Sequence, residues 1–268
     1  ANFAVESCQG AILYFNFITG GMIMTFQMWG PIHIFMLLSP IAFIYLLHIT
    51  TRNYSYENKK RVGIYLSIIA ILMLVLRNIE IFVLRGYKFD YEIVPLQICH
   101  FANFVLLYAF YKDDKTFFSF AFLFNMLMAA ISLIFADGLE NYASLITFRG
   151  FAYIFGHILI VVISFWAYLN GFIKTEKKIV MKSMILIDLL VILSVFINNF
   201  FRLILNEASN YFYTAKPEGG TPLEFFYDLG SLNKIGAFEV NIIYVILYLI
   251  AVPLAIYIQY YIFFTLPK

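Results

Sequence analysis

The sequence predicts an all-α membrane protein, a seven-transmembrane helical bundle with its N-terminus outside and its C-terminus in the cytoplasm. Three observations carry that expectation. The chain has 268 residues, of which 63% are hydrophobic and only 13% charged, whereas a soluble domain is nearer half apolar and a quarter charged. Its apolar residues fall into seven runs of about 20, the length a helix needs to cross the hydrocarbon core. Lysine and arginine collect in alternate loops, which sets the orientation.

The runs cover residues 29–49, 62–84, 94–111, 117–136, 148–172, 180–205 and 240–264. Polar breaks separate them, among them "TTRNYSYENKKR", "RGYKFDYE", "KDDK" and "KTEKK", and Asp137-Gly138 is a strong turn signal. Pro31, Pro95 and Pro253 lie near or within spans, where neighbouring helices can satisfy the freed backbone groups. With seven crossings, eleven basic loop residues fall on the side of the C-terminus and five on the other. The excess makes the C-terminal side cytoplasmic. Two units follow: an external or interfacial segment over residues 1–28, and a transmembrane domain over residues 29–268 that carries an external loop at 207–238. That loop mixes aromatics with turn formers, which suits a lid, and its "LEFFYDLG" stretch could lie on the bilayer surface over the polar cluster. A plain amphipathic connector is the alternative.

A net charge of +2 with no basic stripe excludes a nucleic-acid partner. The 31 Phe and 20 Tyr suit lipid-facing and interfacial positions. Two cysteines, Cys8 and Cys99, are too few for a disulfide framework. No cofactor or metal is expected, because the chain has neither HxxxH nor CxxC spacing and its histidines come from separate helices. GxSxG, GxGxxG and GxxxxGK are also absent.

The polar residues inside the spans gather near the external helix ends. His33, Arg77, Glu80, Cys99, His100, Asn103, His157, Asn198, Asn199 and Arg202 come from five helices yet fall at a similar depth. Polar groups there are expensive, so a cluster of them is a site hypothesis. Cys99 is the thiol inside a span, placed at the positive end of a helix dipole that favours an anion, with Asn103 one turn on. Packing as a small hydrophobe is its ordinary role. His157, in apolar surroundings beside Gly156, suits a proton shuttle or an interhelical hydrogen bond. Gly156 would permit close helix approach. His100 points about 100° away from Cys99 round the helix and is the poorer base. Arg77 and Glu80, spaced i, i+3, suit an intrahelical pair. Alternatively, Arg77 or Arg202 binds a lipid phosphate or stabilises an oxyanion.

"EIVPLQIC" ending at Cys99, His157 after "FRGFAYIF", and "INNFFRLILNEASNYFY" followed by Pro217 and "FYDLG" together resemble the YwaF-like integral-membrane family. That family includes a eukaryotic branch of transmembrane lipid acyltransferases. The likeness runs from "WGPIHI" around His33 to the loop before the last span. Gln97 stands where the family motif, "LPLHLC", has histidine, and the tryptophan that usually follows "LG" is absent. The resemblance implies a seven-helix bundle in which Cys99 and His157 form an intramembrane dyad. A more distant likeness, to androgen-induced multipass fatty-ester hydrolases, points the same way. The expected function is a thiol-dependent lipid acyltransferase or lipid esterase near the outer leaflet of a bacterial plasma membrane. Cys99 and His157 would be catalytic, with His33, Arg77, Asn103, Asn198, Asn199 and Arg202 binding a lipid or acyl-chain substrate. The alternative is a non-catalytic lipid-binding protein or an accessory subunit with a membrane-protein partner.

Overall fold

A computed structural model describes residues 24–173, 176–206 and 208–265. Seven helices in it are long and apolar enough to cross a membrane: Pro31–Thr51, Tyr56–Leu84, Tyr91–Lys112, Lys115–Ile134, Phe148–Leu169, Lys177–Leu205 and Ile242–Phe264. They are called the first to seventh spans below. Residues 1–23, with Cys8 and the Gly20-Gly21 break of the expected interfacial segment, lie outside the described residues. The chain just before the first span is tied to the loop between the fourth and fifth spans. Leu145 N donates to Met24 O at 2.7 Å and Met28 N to Glu140 Oε1 at 3.1 Å.

Local sequence explains most helix ends. Pro31 opens the first helix, where its missing N–H costs nothing. The second starts at Ser55, whose side chain accepts from Asn58 N. Between the third and fourth spans the chain reverses in two residues. Asp113 takes a left-handed backbone at φ +52°, and Asp114 caps the next helix by accepting from Thr116 N and Phe117 N. Thr147 does the same for the fifth through Gly150 N. The third span is regular only from Ile98 to Lys112, after a 3-10 turn at Tyr91–Ile93. Five-residue π turns interrupt the fourth span at Ala121–Asn125 and end the sixth at Phe201–Leu205.

The second span packs on the third and fifth, the fifth also on the first and fourth, and the fourth on the sixth. Close approach is built at Gly63 of the second span, where an added Cβ would overlap the Phe110 ring of the third. Gly156, expected to serve this purpose, has nothing within 4 Å of an added Cβ. It faces open space. Large apolar side chains stay exposed at helical spacing, such as Leu38 and Ile41 on the first span, Ile185 and Leu189 on the sixth, and Ile246, Ile250 and Leu254 on the seventh. On a chain of this composition those faces belong to lipid.

The long loop before the seventh span is more ordered than an irregular lid. It holds a 3-10 turn at Tyr211–Tyr213, a short helix at Leu223–Asp228, and an antiparallel hairpin of β1 (Asn233–Ile235) and β2 (Phe238–Val240). Gly236, at φ +62°, supplies the positive φ that the tight turn requires.

Candidate functional site

A cavity of about 350 Å³ lies between the second, third, fourth and fifth spans, and the long loop closes over it. Its wall includes Arg77 from the second span, Cys99, His100 and Asn103 from the third, Ser132 from the fourth, and Tyr153, Gly156 and His157 from the fifth. Glu92 and Gln97 reach it from the turn before the third helix, Tyr142 from the loop between the fourth and fifth spans, and Arg149 from the first turn of the fifth. Asn210, Tyr213 and Glu218 come from the loop. The segment over the cavity is therefore 210–218, not the "LEFFYDLG" stretch downstream.

Cys99 sits in the first turn of the helix Ile98–Lys112, whose N-terminus has no side-chain cap. The Ser132 side chain makes a polar contact with the thiol. His157 is buried, and its Nδ1 lies 2.5 Å from the Tyr153 carbonyl oxygen. A carbonyl only accepts, so Nδ1 carries the proton and the neutral ring keeps a bare lone pair on Nε2. That is the form a general base needs. Among the described residues Cys99 and His157 share no hydrogen bond. His100 lines the same cavity despite its helical phase, because the cavity wraps round the first turn of the third helix. Its Nδ1 is buried without a partner, as are Gln97 Oε1 and Asn103 Oδ1. These unpaired atoms suit a polar guest.

One rim of the cavity is ionic. Glu92 receives both Arg77, at 3.2 Å, and Arg149, at 3.1 Å. Arg77 also donates to Asn78 Oδ1 and the Glu92 carbonyl, and the Arg149 guanidinium lies 4.8 Å from the centre of the Tyr142 ring. The ion pair expected between Arg77 and Glu80 gives way to this one. Glu80 instead accepts from Arg149 N at 2.6 Å, placing its charge on the first turn of the fifth helix. Two guanidiniums thus share the Glu92 carboxylate, with the Glu80 carboxylate beside them on the Arg149 amide.

Four of the expected substrate-binding residues serve the fold instead. His33 is fully buried: its Nδ1 accepts from Trp29 N at 3.0 Å and its Nε2–H donates to Leu133 O at 3.0 Å, so both nitrogens are spent. Asn198 clamps the loop, donating to Tyr211 O and Thr214 Oγ1 and accepting from Tyr211 N and Ser209 Oγ. Asn199 clamps the hairpin through the backbone of Glu239, donating to its O and accepting from its N. Arg202 donates to Asn199 Oδ1 and Ala237 O, and pairs with Glu239 at 3.5 Å. None of the four lines the cavity. Cys99, His157, Arg77 and Asn103 do.

Sequence reasoning missed Tyr213 and Glu218. Phe212 and Tyr213 both have φ +54°, a left-handed conformation that costs an aromatic residue about 1–3 kcal/mol. The Asn198 clamp holds them there, as does Tyr244, whose hydroxyl donates to Tyr213 O at 2.7 Å. The Glu218 carboxyl makes a polar contact with the Tyr213 phenol. Burial pushes the Glu218 carboxyl above the usual carboxylate range, the contact with Tyr213 only partly opposing it. Burial likewise raises the Tyr213 phenol, with Glu218 and Cys99 adding to the effect. Both shifts are toward the neutral forms.

Residues 28–263 match the model of the TMEM164 family, nearly the whole described chain. The chain belongs to the TMEM164 family. With its seven apolar helices, it is a multi-pass membrane protein in contact with lipid. The match does not extend to the YwaF-like name, which rests on the motifs quoted above. No curated protein and no solved structure matches the chain.

Proposed function

We propose that this TMEM164-family protein is an intramembrane thiol-dependent lipid acyltransferase or lipid esterase. The observation that carries the reading is that Cys99 and His157, from the third and fifth spans, open onto one cavity. His157 Nε2 takes the thiol proton while the sulfur attacks the carbonyl carbon of a lipid ester. The tetrahedral intermediate collapses to a Cys99 thioester, and the departing alkoxide takes the proton from His157. An incoming lysolipid hydroxyl or water then reverses these steps and frees the thiol. Asn103 offers polar groups to the substrate. The guanidiniums of Arg77 and Arg149 are the cavity's groups suited to a phosphate headgroup.

The loop-charge asymmetry, eleven basic residues against five, supports a cavity at the outer face of the plasma membrane. Lipid would then enter sideways from the outer leaflet. Acyl transfer by the protein in nanodiscs tests the reading: Cys99→Ser and His157→Ala should each abolish it. Equal activity in wild type and both variants would reject it.

A second reading draws on the partners of the two residues. Cys99 contacts Ser132 and His157 is tied to Tyr153, as expected of a lipid-binding cavity without turnover. Full cellular complementation by Cys99→Ala would favour it.

A further inference from the structure

Within the reading of Cys99 as an acyl-accepting thiol, we infer that the loop supplies a further catalytic group: the Tyr213 phenol donates a hydrogen bond to the oxyanion formed on the substrate carbonyl, and Glu218 positions that phenol. Three independent observations meet here. Tyr213 and Glu218 line the cavity that holds Cys99 and His157, approaching from the long loop rather than from a membrane span. The phenol lies close enough to Cys99 to interact with it electrostatically, and the Glu218 carboxyl contacts the phenol. The backbone that delivers Tyr213 is held in a disfavoured conformation at two successive aromatic residues. Such strain persists only where the surroundings enforce it, and it collects at functional sites.

The proton inventory explains the pairing. A phenol has one O–H, so it serves an oxyanion only if its own oxygen is not already using that proton elsewhere. A neutral Glu218 carboxyl donates to the Tyr213 oxygen and leaves the phenolic O–H free to turn toward the intermediate. An ionised Glu218 would accept that O–H and withdraw it. Burial shifts Glu218 toward the neutral form, and its contact with Tyr213 partly opposes that shift. No bond to Tyr213 or Glu218 forms or breaks; their part is to hold charge while the Cys99–carbonyl bond forms.

The test uses the full chain in nanodiscs, with Tyr213→Phe, Glu218→Gln, Glu218→Ala and Cys99→Ala. Two quantities are read: acyl transfer at saturating lipid, and affinity for a lipid trifluoromethyl ketone, which adds to a thiolate and carries the oxyanion. Loss of one oxyanion donor is worth about 100- to 1,000-fold in turnover. Tyr213→Phe should show that loss and a comparable loss of ketone affinity, while alkylation of Cys99 by iodoacetamide, read by peptide mapping, stays at the wild-type rate. Glu218→Ala should fall in the same direction. Glu218→Gln, whose amide donates permanently, should return to within a few-fold of wild type. That rescue separates positioning from a merely structural role. Cys99→Ala abolishing transfer while Tyr213→Phe retains the wild-type rate and ketone affinity would overturn the role of Tyr213 alone. Glu218→Gln failing as badly as Glu218→Ala would overturn the role of Glu218. Transfer that survives Cys99→Ala would overturn the underlying reading as well.

Discussion

Asn198→Ala should release the loop from the cavity without touching any residue that lines it. The Asn198 side chain makes four hydrogen bonds, to Tyr211 O at 3.0 Å, Thr214 Oγ1 at 2.9 Å, Tyr211 N at 2.8 Å and Ser209 Oγ at 3.1 Å. Two of these partners retain other bonds: Tyr211 O still accepts from Thr214, and Thr214 Oγ1 still meets Ser194 Oγ. Tyr211 N and Ser209 Oγ lose theirs. Stranding each of these two buried donors costs about 1–3 kcal/mol, so the variant should lose at least about 2 kcal/mol of local stability. The strained backbone at Phe212 and Tyr213 adds its own drive to relax. Glu218 of the same loop lines the cavity, so cleavage of the bond after it reports opening of the loop. At about 1.4 kcal/mol per decade, cleavage after Glu218 by a glutamyl endopeptidase should rise about thirtyfold or more when opening precedes cleavage. Lipid turnover should fall with it. Unchanged cleavage together with unchanged turnover would refute the reasoning, since the clamp would then hold nothing.

Three further outcomes follow from the packing and the charges. Gly63→Ala should destabilise the bundle by about 1–3 kcal/mol through overlap with Phe110, while Gly156→Ala, facing open space, should leave thermal unfolding unchanged; equal effects of the two would contradict the placement of the cavity. His33→Ala should lower thermal stability by breaking the bridge from Trp29 N to Leu133 O, yet leave turnover per folded molecule intact, which activity normalised to folded protein will check. At the turn between the third and fourth spans, burial raises the Asp113 carboxyl, but hydrogen bonds from Lys115 and Tyr56 outweigh it and hold the group below its ordinary value. Its stabilising contribution is present above the unfolded pKa, near 3.9, and is lost as pH falls through the lower folded value. Melting curves in acid should show that loss in wild type and a shallower one in Asp113→Asn.

Length and apolar runs made the seven spans legible, because a helix that crosses hydrocarbon must satisfy its own backbone over about 20 residues. Depth was legible too: counting along each span placed Cys99 and His157 at one level, and one cavity holds both. Azimuth and long-range partners were not. His33, Asn198, Asn199 and Arg202 share the depth of the cavity but face neighbouring loops, and a polar residue near a helix end serves backbone as readily as substrate. The i, i+3 spacing of Arg77 and Glu80 was real, yet Glu92 of the next turn offered Arg77 a carboxylate without intrahelical constraint. His100 was set aside on helical phase, which fails when a cavity curves round the first turn of a helix. Tyr213 and Glu218 could not be found by periodicity, since a loop held by a remote asparagine carries none. The turn-forming stretch from Asn210 to Pro217 was the one sequence sign that the chain reverses there.

The most direct measurement is peptide-mapped mass spectrometry of the reconstituted protein after brief exposure to a lipid acyl donor. A thioester mechanism predicts one acyl chain on the peptide containing Cys99, released by hydroxylamine at neutral pH and absent in Cys99→Ala. Transfer that proceeds with Cys99 unmodified throughout, at equal rate in Cys99→Ala, would contradict it.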